Sequence, residues 1–282
     1  MARRSGRVLR AHPKLLVFPL FGGLSGIAFM ATLFGGLLLT DSVQDPGLVL
    51  YGALFVAYLV ETFVASFFTA ALVVATRTIF HGEAPSIRGS LAAAWQRKLP
   101  LLAWSLIAAL VGVLIRLIES EDNLVAQVLA GVFAVAWSVM TYFVVPVIVF
   151  RNPSVTEMFS ESASTFKETW GESIGAMATI DIFSFLLALA GLGLGVLTFV
   201  VTGGTSVQLL ATVLIGGSAF VFGLLIGKAL SGVAKTALYV YATERTAPEF
   251  FDDMDFSKLG GDNSASTRGF GDRFGGPGNG RI

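Results

Sequence analysis

The sequence predicts an all-α, polytopic transmembrane bundle of six spans, with amphipathic interfacial helices on the cytoplasmic side. Three observations carry this. Six long apolar runs recur along the chain, at about 15–39, 48–75, 99–118, 124–150, 173–201 and 207–230. Hydrophobic residues make up 54% of the 282 residues and charged residues 13%, against roughly 25% charged in a soluble domain. The connections between the runs alternate in charge. A hydrocarbon core of ~30 Å takes about 20 apolar helical residues to cross, and each run meets that length.

The first run follows the basic stretch MARRSGRVLRAHPK. A secretory signal would carry an apolar core of about 7–15 residues and a small-residue cleavage site. Leu15–Leu39 is 25 residues long with no such site before Asp41, so it reads as an uncleaved first span. Leu48–Ala75 is the second, holding a single charge, Glu61, near its middle.

Arg3, Arg4, Arg7, Arg10 and Lys14 precede the first span. Arg77, Arg88, Arg97 and Lys98 lie between the second and third, and Arg151 and Lys167 between the fourth and fifth. The opposite connections, Thr40–Gly47, Glu119–Asn123 and Thr202–Ser206, hold no Lys or Arg. Excess Lys and Arg mark cytoplasmic loops, so both termini are expected in the cytoplasm of a multi-pass cell-membrane protein. The short outer connections imply hairpins of spans 1–2, 3–4 and 5–6.

Two longer inner connections have helical periodicity. In Ser86–Lys98, Ile87, Leu91, Ala94 and Trp95 form a stripe. In Ser154–Trp170, Val155, Met158, Phe159, Phe166 and Trp170 do the same, and Ser154 with Glu157 is a capping box. Both are expected to lie apolar face down in the inner interface, with Arg88, Arg97, Lys98 and Trp95 as the lipid contacts. Pro85-Ser86-Ile87 and Pro153-Ser154-Val155 occupy equivalent places, a faint architectural repeat of interfacial helix plus hairpin.

The membrane domain is thus expected over 1–247. From Pro248 to Ile282 the chain is rich in Gly, Asp, Ser and Asn, the composition of a disordered cytoplasmic tail. Its Arg-Gly-Phe and Arg-Phe-Gly-Gly steps sit among acidic residues, and no nucleic-acid partner is expected. The partners expected are the lipid bilayer and a protein at the cytoplasmic face.

Candidate chemistry is sparse. Glu61 lies ~20 Å along its helix from Leu48, Asp181 about 10 Å from the inner edge of the fifth span, and Lys228 near the inner end of the sixth. Together they form a candidate polar cluster in the inner half of the bilayer. Ionisable groups at such depth mark functional or pairing sites by default. One reading is a polar path. The other is a neutral, hydrogen-bonding Glu61 with Lys228 snorkelling to the headgroups. Lys235 is expected beyond the membrane. There is no cysteine, no metalloprotease, nucleophile-elbow or phosphate-loop signature can be written, and the two histidines, His12 and His81, fall in separate interfacial segments. No cofactor, metal site, catalytic residue or enzymatic activity is expected. Gly22/Gly26, Gly191/Gly195 and Gly223/Gly227 are small-residue steps suited to close helix contact. Pro146 is expected to kink the fourth span.

The opening SGRVLRAHPKLLVFPLFGG, YFVVPVIVF around Pro146, and SASTFKETWGES before the fifth span resemble a family of prokaryotic polytopic membrane proteins known as a domain of unknown function, over about residues 1–245. The resemblance implies the fold and no activity. More distantly, the hairpin-plus-interfacial-helix plan is similar to the membrane domain of some glycerophosphodiester phosphodiesterases, whose catalytic barrel is missing from this sequence. The leading functional expectation is a non-enzymatic, membrane-organising, lipid-interacting or partner-docking role. The alternative is a small permease, which should contain a polar cavity where a scaffold should be packed.

Overall fold

The computed structural model describes residues 1–39, 48–119, 123–202, 206–244, 248 and 250–251, and all of its regular elements are helical. Among the described residues, six helical segments are long and apolar enough to cross a membrane.

Helix α1 (Ala2–Ala11) buries Ser5, Val8 and Leu9 and ends at His12. A residue before proline is disfavoured in the α region, and Pro13 opens a 3-10 turn that leads into α2 (Val17–Leu39). Helix α3 (Leu48–Phe80) ends at Gly82, whose φ of 77° fits a left-handed cap. Then come α4 (Ile87–Gln96), capped by Ser86, and α5 (Lys98–Glu119).

The fourth span is two helices, α6 (Leu124–Met140) and α7 (Val144–Arg151). Proline at 146 has no N–H for the Tyr142 carbonyl and crowds it, so the break falls at Thr141–Phe143, upstream of the proline. The freed Phe143 N–H donates to the Ser162 hydroxyl at 3.0 Å. That serine belongs to α8 (Val155–Glu168), which starts with the expected capping box. Helices α9 (Trp170–Thr202) and α10 (Ser206–Glu244) complete the fold. Helix α10 runs 14 residues past the expected end of the sixth span. Hydropathy registers the surrounding solvent, whereas Val233, Ala234, Ala237 and Leu238 in this extension are fully buried by protein.

The hairpin of α9 and α10 has the most intimate packing. A methyl group added at Gly195 would lie 3.2 Å from Gly216 Cα, and one at Gly223 would lie 3.0 Å from Ala188 N. Without a hydrophobic drive between helices in lipid, such close approach supplies the packing energy. The core gathers at the end bearing α1, α4, α7 and α8, around Phe18, Ile79, Leu101, Phe143, Ile148, Met158, Phe166 and Leu238. Large apolar side chains are exposed toward the other end, including Leu124, Leu129, Val200 and Val201. That is the surface hydrocarbon would cover.

Two expectations are refined here. The apolar stripes of α4 and α8 are partly covered by protein: Ala94, Met158 and Phe166 are buried and Ile87, Leu91 and Phe159 pack on the core, while Trp95 and Val155 stay exposed. The tail was expected to start at Pro248, yet Phe251 is fully buried with its ring 5.8 Å from that of Phe80. Two aromatics in succession supply enough apolar surface to anchor the turn. The rest of the expected tail, and the outer connections at 40–47, 120–122 and 203–205, lie outside the described residues.

Candidate functional site

Helical spacing places Glu61, Thr62, Ser66, Thr69 and Val73 on one side of α3, and Leu224, Lys228, Ser231 and Lys235 on one side of α10. With Asp181 and Ser184 from α9, Trp104 from α5 and the broken segment Ser138–Pro146, they line a cavity of about 770 Å³. All three members of the candidate cluster, Glu61, Asp181 and Lys228, face this one space. Lys235, expected outside the membrane, lines it as well, because α10 continues as helix.

The four charged groups make no ion pair with one another within 4.0 Å among the described residues. The Lys235 ammonium sits 4.3 Å from the centroid of the Tyr142 ring, a cation–π contact. Lys235 is within electrostatic reach of Lys228 and Asp181. Trp104 closes one wall, its indole N–H donating to Ser66 Oγ at 3.0 Å and its ring stacked 5.9 Å from Trp137. Buried charges that do not pair directly with each other are costly unless water, a ligand or a change of protonation compensates them.

A second cavity of about 740 Å³ lies between α2, α3 and α10, and its lining is mostly apolar, with Met30, Phe34, Phe68 and Leu225. Glu61, Ala65, Thr69, Leu224 and Lys228 line both spaces. Glu61 therefore stands in their common wall. A methyl group at Gly26 would fall 2.7 Å from its Oε2, so the glycine leaves room for the carboxylate. Its Oε1 is buried with no hydrogen-bond partner.

The residues expected at the lipid interface lie together on the α4–α5 corner. Trp95 is 54% exposed, and the Lys98 ammonium lies 4.8 Å from the centroid of its ring. Arg88 is exposed and Arg97 half-buried.

One cluster had no signal in the sequence. Arg77 donates to Glu244 Oε1 through Nη2 at 2.7 Å and Nε at 3.2 Å, while His81 Nε2 lies 3.3 Å from Glu244 Oε2. The Arg77 guanidinium also covers the Phe150 ring at 4.5 Å. The ends of α3, α7 and α10 are joined there by residues 167 positions apart, a separation no local pattern reveals. His12, by contrast, stands edge-on to Phe250 at 6.4 Å.

A family model described as a family of unknown function (DUF6159) matches residues 17–248. No curated protein and no solved structure matches the chain.

Proposed function

We propose, for a chain that belongs to the family of unknown function DUF6159, that this multi-pass membrane protein is a small permease whose solute occupies the cavity between α3, α6–α7, α9 and α10. The observation that carries the reading is the lining: two carboxylates and two ammonium groups around one space of about 770 Å³ inside a bundle of apolar helices. A membrane-organising scaffold has no need of such a space. Intramembrane charges are costly and, by default, mark a solute or ion path. Broken backbone at membrane depth is tolerated where it is buried in protein or lines a cavity, and the Thr141–Phe143 break adjoins this one.

In this reading Lys228 and Lys235 hold an anionic group of the solute, and Asp181 and Glu61 a cationic one. The Ser66, Thr69 and Ser231 hydroxyls and Tyr142 orient it. The complement suits a small zwitterion. With both termini in the cytoplasm, the well-packed end of the bundle faces inward and the cluster lies in the inner half of the bilayer.

The cysteine-free chain allows a direct test. Ser184→Cys and Ser231→Cys should react with aminoethyl methanethiosulfonate within about tenfold of the rate at an exposed Ser164→Cys. Rates no faster than that of a core control, Ala234→Cys, would leave a packed bundle and return the membrane-organising role to first place.

A further inference from the structure

A third cavity, of about 1280 Å³, lies between α1 and the α9–α10 hairpin. Arg3, Arg4, Arg7 and Arg10 stand along one side of it. Phe183 and Leu187 of α9 and Ile226 and Leu230 of α10 form the other. We infer that this cleft binds one anionic phospholipid, its phosphate on the α1 arginines and an acyl chain along the α9–α10 wall.

The local structure builds both halves. Ser5, Val8 and Leu9 are buried, which fixes α1 against the bundle. Residues 3, 7 and 10 recur at one helical turn or two, so they share one side of α1, the side that borders the cleft. Arg3, Arg4 and Arg10 have no ion-pair partner among the described residues, while Arg7 reaches the Phe250 carbonyl at 3.4 Å. Three uncompensated guanidiniums within eight residues make a strong site for phosphate, whose oxygens match the planar fork. A free phosphate would be served by the arginines alone. The facing wall is apolar, belongs to membrane-length helices, and leaves Phe183 45% exposed. Charge on one side and hydrocarbon on the other match a lipid with a net negative headgroup.

The test uses the full chain in mild detergent, followed by native mass spectrometry with phosphatidylglycerol or phosphatidylcholine at equal concentration. One phosphatidylglycerol should be retained per chain, at least tenfold more strongly than phosphatidylcholine. Replacing Arg3, Arg4 and Arg10 together with Gln should weaken retention on the order of 100-fold, from the contribution of each basic residue near an anionic surface. Leu187→Trp, which fills the cleft and spares every arginine, should weaken it as well. A second cleft-filling variant, Ile226→Trp, covers a failure of the first to fold. Equal retention of the two lipids, or an unaffected triple variant, would overturn the site. So would full retention by both tryptophan variants, which would reduce the effect to surface charge. Displacement of the lipid by inorganic phosphate at the same concentration would reassign the arginines to a free anion.

Discussion

Glu61 shows how one side chain can separate two functional readings. It stands in the wall shared by both intramembrane cavities, with Gly26 making space for it and no ion pair to Lys228. Removing one member of a buried ion pair costs about 3–5 kcal/mol because the other charge is stranded. No such partner is stranded here. Glu61→Gln should therefore change stability by less than about 1 kcal/mol, the scale of one ordinary hydrogen bond, as read from thermal unfolding in detergent. A loss of several kcal/mol that Lys228→Met rescues would establish a direct pair and refute this geometry.

Among the elements, the junction of α6, α7 and α8 is the most specific. The Phe143 N–H and the Ser162 side chain are both fully buried, and each is the other's partner. Ser162→Ala leaves an orphaned backbone donor and should cost about 1–3 kcal/mol, measured by the same melts; a neutral result would mean water replaces the serine. Helix α8 also carries an acid-sensitive end. Hydrogen bonds from the Ser154 hydroxyl and backbone N–H, the latter at 2.8 Å, hold the Glu157 carboxyl below its ordinary value. A lowered folded-state value contributes stability that is complete above the unfolded value and disappears as pH falls through the folded one. Amide exchange in the first turn of α8 should accelerate over that acidic window, and Glu157→Gln should remove the pH dependence. An identical acceleration in the variant would locate its cause elsewhere.

For the whole molecule, the charge alternation makes an orientation prediction that concerns every connection at once. In intact cells, Ser42→Cys and Glu119→Cys should react with an impermeant thiol reagent, and Arg88→Cys and Ser164→Cys should not. External labelling at position 88 or 164 would reverse the topology and place the α1 arginines on the outer face. The arrangement of the core agrees with a lipid environment. Protein packs against protein where α1, α4, α7 and α8 gather, and the other end of the bundle presents bare apolar side chains.

Helix, span and membrane residence were legible in the residues because hydropathy over about 20 positions is a local property. Glu61, Asp181 and Lys228 could be chosen for the same reason: a charge inside an apolar run stands out in one dimension. Their convergence on one cavity could not, since it depends on how α3, α9 and α10 rotate against each other, and between α9 and α10 that rotation is set by glycines meeting backbone. Lys235 and the Arg77–His81–Glu244 cluster were missed because α10 outlasts its apolar run and its partners are distant in sequence. Pro146 announced a break, but only the packing of α8 supplied the Ser162 hydroxyl that stabilises it. The sequence determined by itself which segments enter the membrane; side-chain contacts between those segments decided where the bundle stays open.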